Sequence, residues 1–217
     1  MKVVDGFLGL LGVDPWLRAA RHARPEAVSE LIAGQEARIL GVVEADQPLL
    51  ISPFTQTRCV LWRVRLEEKH RVDDDRGILE TSSRDRVRWQ EEINEGAFAR
   101  FWVRDSSGGR ALVGTGPQGT CQIAFEPPNV SEHPHVNDEN ELLCRYLREH
   151  GVVPTNYMGI AGETRFFETY VLPGEAISVY GRVEEVSEVQ AIGYRDAPVK
   201  FFRLVGSTEH PLVILPA

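Results

Sequence analysis

Cysteine is scarce in this sequence, and its spacing excludes two common uses of the residue. The 217 residues include three cysteines, Cys59, Cys121 and Cys144. An odd number at wide spacing predicts neither a disulfide framework nor a zinc site built from C-x-x-C pairs. His133 and His135 do not complete a usual zinc-ligand spacing with them, so we expect no metal site. A reducing compartment, the cytoplasm, is the simpler expectation.

Long hydrophobic runs are also missing. Residues 1–13 are largely apolar, but they are too few to cross a bilayer, which takes about 20 apolar residues. Lys2 is their one basic residue and no small-residue cleavage site follows, so a signal peptide is not predicted. We interpret the segment as an amphipathic helix docked on the core or on a partner, in preference to a membrane-surface anchor, which normally carries more Lys and Arg. We expect at most a peripheral contact at the inner face of the membrane.

An excess of positive charge is absent. The chain has 24 Lys+Arg against 32 Asp+Glu, a formal net charge of -8. This balance disfavours non-specific contact with nucleic acid or anionic lipid, so no nucleic acid is favoured as a partner, although a local basic patch stays open. Trp62, Trp89, Trp102 and Phe101 could stack bases as in single-strand binders. At alternating strand positions we assign them to the core.

Motifs for catalysis and cofactor binding are missing as well. Neither G-x-S-x-G nor H-E-x-x-H nor G-x4-G-K-[ST] occurs. Gly114, Gly116 and Gly119 match G-x-G-x-x-G after a strand, but residues 120–125 alternate as another strand, so no helix N-terminus follows for a pyrophosphate. The carboxylates fall in charge runs and form no identifiable pair. We assign no catalytic residue, no cofactor-binding residue, no metal ligand and no cofactor.

Strand patterns, by contrast, are abundant. Residues 59–67 alternate strictly between two faces, one of which carries Val60, Trp62, Val64 and Leu66. Period-two alternation of this kind is typical of half-buried strands. Shorter strand-like segments recur to the end of the chain. The pattern predicts a mainly β protein, a partly closed antiparallel β-barrel or sandwich of OB-like units with a few short helices.

The segments divide into a short helical start and one β domain. Residues 1–33 are predicted to form short N-terminal helices, the second with an apolar stripe at 28–32, and residues 34–217 to form the β domain. Within that domain, 138–151 is an inserted helix with a capping-box-like start. Residues 70–96 are a charged loop, interpreted as a long exposed hairpin or a partly disordered loop.

Residues 165–185 predict two strands joined at Pro173-Gly174. Gly181 interrupts the buried face of the second strand, which usually marks a bulge or a sharp coil. Glu168 is a charged residue in an aromatic strand, and we interpret it as the ion-pair partner of Arg165 or another arginine. We therefore expect Gly181→Val to disrupt folding and Glu168→Gln to leave it intact.

A similar sequence pattern, which we call the internal echo, occurs in this stretch and in an earlier one. Gly34-Gln-Glu-Ala-Arg-Ile-Leu-Gly41-Val-Val-Glu44 and Gly174-Glu-Ala-Ile-Ser-Val-Tyr-Gly181-Arg-Val-Glu184 share Gly, six residues, Gly, any residue, Val, Glu. Downstream, Pro48-Leu-Leu-Ile-Ser-Pro53 resembles Pro211-Leu-Val-Ile-Leu-Pro216. Each copy is expected to be a coiled strand followed by a short return strand, with Gly41 and Gly181 as equivalent bend points. Duplication and chance recurrence of glycine-centred strands both stay open.

A series of segments adds a further pattern between residues 25 and 217. It comprises Gly41-Val-Val-Glu, Pro48-Leu-Leu-Ile-Ser-Pro53, Cys59-Val-Leu-Trp62-Arg, Trp89, Phe101-Trp-Val-Arg-Asp105-Ser-Ser-Gly108, Glu168, Leu172-Pro-Gly174-Glu and Val179-Tyr-Gly181. In this order the segments resemble the GIDE domain, also called the BAM ("beside a membrane") domain. That domain occurs in mitochondrial membrane-anchored RING ubiquitin ligases and in many bacterial and archaeal proteins.

The resemblance implies a non-catalytic protein-interaction or scaffold module, bacterial and cytoplasmic, with another protein as its unidentified partner. Ligase activity is not implied, because neither the paired Cys and His of a RING nor membrane helices beside the domain are found. The partner would contact residues 70–96 or the N-terminal helix. The alternatives are an OB-like nucleic-acid-binding protein, a ligase-like component that needs a separate RING partner, and an enzyme with an unrecognised site. The residues that match the family pattern are expected to be structural: Gly41, Pro53, Cys59, Trp62, Asp105, Gly108, Glu168, Gly174 and Gly181.

Overall fold

The computed structural model describes most of the chain, in nine ranges: residues 15–46, 48–71, 87–115, 123–125, 130–133, 141–151, 164–188, 199–207 and 210–217. The predicted helix within 1–13 lies outside them, as do the middle of the charged segment 70–96 and the residues Gly116, Gly119, Cys121 and His135.

Strands dominate the described residues, which also include two α-helices, α1 (Pro15–His22) and α2 (Glu141–Glu149), and a single 3-10 turn (Val28–Glu30). The mainly β fold class with a few short helices is therefore confirmed. The strands are β1 (Glu36–Ala45), β2 (Leu50–Ile51), β3 (Arg58–Cys59), β4 (Leu61–Arg71), β5 (Val87–Phe98), β6 (Phe101–Arg104), β7 (Arg110–Thr115), β8 (Ile123–Phe125), β9 (Val130–His133), β10 (Thr164–Val171), β11 (Ala176–Glu188), β12 (Val199–Gly206) and β13 (Leu212–Pro216).

Five of these strands close into a barrel. Around the ring the order is β1, β6, β7, β12 and β11, and pairing of β11 with β1 closes it. β7 and β12 run parallel, whereas the other neighbours in the ring are antiparallel, so the barrel is mixed. This is the strand order of an OB-type barrel. β13 pairs with β11 and β8 with β13, which extends the sheet beyond the ring.

Alternate residues of the ring strands fill the barrel. Ile39 of β1, Phe101 of β6, Val113 of β7, Val179 of β11 and Leu204 of β12 are each fully buried in one cluster. Burying one such large aliphatic side chain contributes roughly 1.5–3 kcal/mol. The alternation that predicted the strands therefore also supplies the core.

A second sheet stands beside the barrel, in the order β5, β4, β10, β9. β4 and β5 form a hairpin, as the hairpin interpretation of the charged segment predicts, and residues 72–86 between them lie outside the described ranges. Helix α2 packs Leu147 against this sheet, in a cluster with Val64, Leu66 and Phe166. β10 and β11 are the two strands predicted around Pro173-Gly174. They belong to different sheets, so this turn connects the sheet to the barrel.

The first half of the internal echo is a structural repeat. β1 and β11 pair antiparallel, and at the centre of their register Ile39 faces Val179, its counterpart in the other copy. Two hydrogen bonds at one end join Gly34 and Gln35 to Val183. The same two hydrogen bonds occur at the other end, where Gly174 and Glu175 of the second copy bond to Val43. All four donor–acceptor distances are 2.8–2.9 Å. The two copies are thus related by a local two-fold axis through the Ile39–Val179 pair.

Two predictions about short elements are wrong. The second half of the echo places β13 beside β11, whereas β2 pairs with β3 in a separate two-stranded sheet, so the two proline-bounded segments are not equivalent. The second N-terminal helix is only the 3-10 turn Val28–Glu30, after which Ile32 is 58% exposed. Gly34, with a φ of +89°, lies in the turn that leads into β1.

Candidate functional site

Gly41 and Gly181 mark places where two strands approach too closely for a side chain. A Cβ at Gly41 would lie 2.7 Å from Val103 Cγ1, and a Cβ at Gly181 would lie 2.8 Å from Leu212 Cδ1 and 3.0 Å from Val205 O. Real Cβ atoms do not pack that closely. Both glycines therefore have a structural reason to be glycine. At equivalent positions just beyond them, each strand begins to pair with its second partner, β6 or β12.

Glu168 is fully buried and binds the turn between β2 and β3. Its Oε1 accepts the Phe54 N–H at 2.8 Å, and its Oε2 accepts the Thr55 N–H at 2.9 Å. The predicted ion pair with Arg165 lies outside the described side chains and stays a prediction, whereas both carboxylate oxygens bind backbone N–H groups. Two successive backbone N–H groups of a turn that includes Pro53 need acceptors, and the buried carboxylate supplies both.

Cys59 and Trp62 belong to the hydrophobic cluster of the second sheet, which also contains Phe54 and Phe166. Cys59 is fully buried, and burial, with the nearby charge of Glu168, raises the pKa of its thiol to about 12. A thiol of that pKa stays protonated at neutral pH and is a poor nucleophile. Trp62 is also buried, in agreement with its assignment to the core.

Asp105 organises the turn between β6 and β7 and connects it to the N-terminal segment. Its Oδ1 accepts N–H groups from Ser107 at 2.9 Å and Gly109 at 2.8 Å, and its Oδ2 accepts the Val28 N–H at 2.7 Å. Gly108 adopts φ +87°, in the left-handed region that favours glycine. Burial raises the pKa of Asp105, but the hydrogen bonds from Ser107, Val28 and Gly109 outweigh it and hold the pKa below its ordinary value.

We predict that Asp105→Asn lowers the free energy of unfolding by about 1–3 kcal/mol at neutral pH, because an amide group would face donors that now bind a carboxylate. The wild-type contribution is present above the unfolded-state pKa of about 3.9 and is lost as pH falls through the lower folded-state pKa. Urea unfolding of both proteins at neutral and acidic pH measures it. The difference should shrink in acid, whereas Glu185→Gln, in an exposed pair with Lys200, should change little at either pH.

Two carboxylates each hold a tyrosine and a histidine. Glu95 of β5 accepts the Tyr146 hydroxyl and lies 3.0 Å from His150 Nε2, while His150 Nδ1 lies 2.9 Å from the Tyr146 carbonyl oxygen. Both ring nitrogens therefore face acceptors, which favours imidazolium. Burial lowers the pKa of His150, but the Tyr146 carbonyl and Glu95 outweigh it and raise the pKa above its ordinary value. This cluster ties α2 to the sheet.

The second such carboxylate is Glu36 of β1. It accepts the Tyr180 hydroxyl and lies 2.6 Å from His210 Nδ1, and Trp16 of α1 packs against the His210 ring. Burial and the contact with Glu36 raise the pKa of Tyr180 to about 12. Both clusters attach a helix to a strand.

The outer wall of the barrel carries a continuous surface of arginine, carboxylate and aromatic side chains on β1, β6, β7, β11 and β12. We name it the arginine face and define it as Glu44, Asp46, Arg100, Trp102, Arg104, Arg110, Glu184, Phe201 and Arg203. Glu44 of β1 pairs with Arg104 of β6 and Arg110 of β7, and Asp46, just after β1, pairs with Arg100, just before β6. Arg203 pairs with Glu184 at 2.6 Å. Gly114 lies between Arg100 and Arg203, and a Cβ at this position would have no atom of either side chain nearer than 3.6 Å.

Trp102 sits at the middle of the arginine face and is only half-buried. Its Nε1 donates to Asp46 Oδ1 at 2.8 Å, Arg110 lies over its ring at 4.8 Å, and Phe201 meets it edge-on at 5.2 Å. The prediction that Trp102 belongs to the core is therefore wrong, whereas Phe101 is core. Strict alternation along β6 already places Trp102 and Arg104 on the face opposite Phe101, and that signal could have identified the surface.

Other predicted positions are distributed through the fold. Gly174 forms the turn after β10 with φ +89°, and His133 lies in β9. Cys144 is buried in α2. In the part of the chain that the structure describes, no three His, Cys, Asp or Glu side chains form a group that could hold a metal ion.

Comparison with protein-family models, with curated proteins and with solved structures finds no match for this chain. Within the described ranges, no helix is both long enough and apolar enough to cross a membrane.

Proposed function

We propose that the chain is a non-catalytic protein-interaction or scaffold module of the GIDE type. The observation that supports this best is the role of the two carboxylates that are buried among the described residues. Glu168 and Asp105 each bind backbone N–H groups, so both stabilise turns. Gly41 and Gly181 serve close strand contacts. The residues that match the family pattern thus act in the fold, and the exterior is left for recognition.

The partner, another protein, contacts the segment 70–96 or the N-terminal segment in this proposal. The two ends of the segment 70–96 lie in β4 and β5, which pair antiparallel at the edge of the second sheet. α1 follows the second segment, residues 1–13, and is anchored to the barrel because Leu17 and Ala20 are buried against Tyr180, Val213 and Leu215. The module acts in the cytoplasm, with at most a peripheral membrane contact, either as a scaffold or as a ligase-like component with a separate RING partner.

Deletion of residues 1–13 tests the N-terminal surface, because the deletion ends before α1 and leaves its packing in place. We expect an unchanged melting temperature and a monodisperse protein, together with loss of the partner or of membrane association. Crosslinking in the native cell, followed by recovery of the tagged full chain and of the deletion variant, measures this. A second variant, with residues 72–86 replaced by a short Gly-Ser turn, tests the hairpin. Unchanged recovery with both variants would contradict the proposed surfaces.

Nucleic-acid binding is the second candidate function, and a specific observation favours it. The ring has the OB-type strand order, and Arg104 and Arg110 lie on the outer wall of β6 and β7, the wall that OB barrels use for oligonucleotides. Salt-dependent binding of a deoxythymidine oligonucleotide in a polarisation titration would favour this function. No binding at low salt would eliminate it.

A further inference from the structure

The arginine face contains two arginines directly opposite each other with a single carboxylate between them. Arg104 and Arg110 are register partners on β6 and β7. Arg104 Nε lies 2.6 Å from Glu44 Oε1, and Arg110 Nε lies 2.9 Å from Glu44 Oε2. Like charges directly opposite on neighbouring strands destabilise a sheet, and one shared carboxylate neutralises only one of the two. The pair therefore carries one surplus positive charge.

The guanidinium groups of Arg104 and Arg110 also have N–H groups that can bind a further carboxylate. Within the described residues each reaches Glu44 through Nε, which is one of the five N–H bonds of a guanidinium. The side chains of Arg104 and Arg110 are 48% and 49% exposed. Their terminal nitrogens can therefore take a carboxylate from solution in the bidentate geometry that arginine prefers.

From this geometry we propose that the arginine face is the docking surface for an acidic segment of a partner protein, with an Asp or Glu side chain of that segment bound to the terminal nitrogens of Arg104 and Arg110. The inference rests on the proposed interaction function and assigns it a surface and a partner chemistry. Trp102, half-buried beneath Arg110, supplies apolar contact next to the bound carboxylate.

The same geometry disfavours a nucleic acid as the occupant. Base stacking needs an open aromatic face, yet Arg110 lies over the Trp102 ring and Phe201 meets it edge-on. A nucleic acid would also place successive phosphates, each fixed in its backbone, next to the carboxylates Glu44, Asp46 and Glu184. A flexible peptide can bring one acidic side chain to the terminal nitrogens of Arg104 and Arg110 and direct its other side chains away.

Fluorescence polarisation with a labelled hexaglutamate peptide at low ionic strength tests the proposal. Arg104→Gln combined with Arg110→Gln should weaken binding about tenfold, as expected for the loss of two partly exposed ion pairs. Glu44→Gln should tighten it about threefold, because it removes the competing carboxylate. Arg58→Gln, at an exposed arginine in the separate two-stranded sheet, should change it by less than about twofold. Melting temperatures confirm that each variant is folded.

Several outcomes would overturn the proposal. These are no hexaglutamate binding by the full chain, weaker binding by Glu44→Gln, or an equal loss in Arg58→Gln. A deoxythymidine oligonucleotide bound through the same two arginines would replace the acidic segment with a nucleic acid. If the crosslinked partner is recovered undiminished with the double arginine variant, the interaction function stands and this surface is excluded. If no partner is recovered with any variant, the interaction function itself fails.

Discussion

Gly41→Ala should destabilise the protein by more than about 3 kcal/mol or prevent folding, at the upper end of what overpacking costs. The new Cβ would lie 2.7 Å from Val103 Cγ1 and closer still to the carbonyl oxygen of Arg104. A carbonyl oxygen of β6 cannot turn aside as a flexible side chain can, since it belongs to the barrel backbone. β1 would have to separate from β6, and the ring would open between them.

Substitutions at Gly181 and Gly114 test whether the loss of stability follows the closeness of the nearest atom. At Gly181 the nearest atom is the end of a side chain, Leu212 Cδ1 at 2.8 Å, so Gly181→Ala should cost less than Gly41→Ala, whereas Gly181→Val should fail to fold. At Gly114 nothing lies nearer than 3.6 Å, so Gly114→Ala should be tolerated. Soluble yield and urea unfolding of the four variants give the order. Similar melting temperatures for Gly41→Ala and Gly114→Ala would refute the close-contact explanation.

Glu168→Gln should lower the free energy of unfolding by about 1–3 kcal/mol, because one carboxylate oxygen becomes an amide group that faces a backbone donor. Glu168→Ala should cost more, since both the Phe54 and Thr55 N–H groups would lose their acceptor inside the protein. The sequence predicts that Glu168→Gln leaves folding intact, and the two backbone hydrogen bonds add the expectation that the folded variant is less stable.

Hydrogen exchange gives the local measurement for Glu168. The Phe54 and Thr55 amides should lose protection in Glu168→Gln before the barrel amides do, because the turn between β2 and β3 is held by that carboxylate. Glu30→Gln is the matched control. Its carboxylate contacts the Ala27 N–H at 3.4 Å in an exposed position, so the change should be small. Unaltered exchange at Phe54 and Thr55 would contradict the assigned role.

Local periodicity was sufficient to predict much of the fold. The alternation of residues 59–67 places Val64 and Leu66 in the core of the second sheet, where the structure has them. The glycine-centred echo predicted that Gly41 and Gly181 are equivalent, and the register of β1 with β11 shows it. Both features are local, since they depend on neighbouring residues along one strand.

Contacts between residues far apart in the chain cannot be predicted from local sequence patterns. The parallel pairing of Leu112 with Arg203 joins strands far apart in the chain, and no local pattern encodes it. Glu168 illustrates the same limit in a site residue. A carboxylate on the inner face of a strand has the same sequence pattern whether it meets an arginine or two backbone N–H groups. Only the position of the turn that includes Phe54 distinguishes them.

The local two-fold axis through Ile39 and Val179 also bears on assembly. β1 presents at Gly34 and Val43 the same donors and acceptors that β11 presents at Gly174 and Val183. Two β1 strands from separate molecules would therefore pair through hydrogen bonds like those that join β1 to β11, in an isologous contact with two-fold symmetry. Within one molecule the connection between the two strands favours their own pairing through its high effective concentration. The β1–β11 pairing within one molecule must therefore open before two molecules can pair through β1.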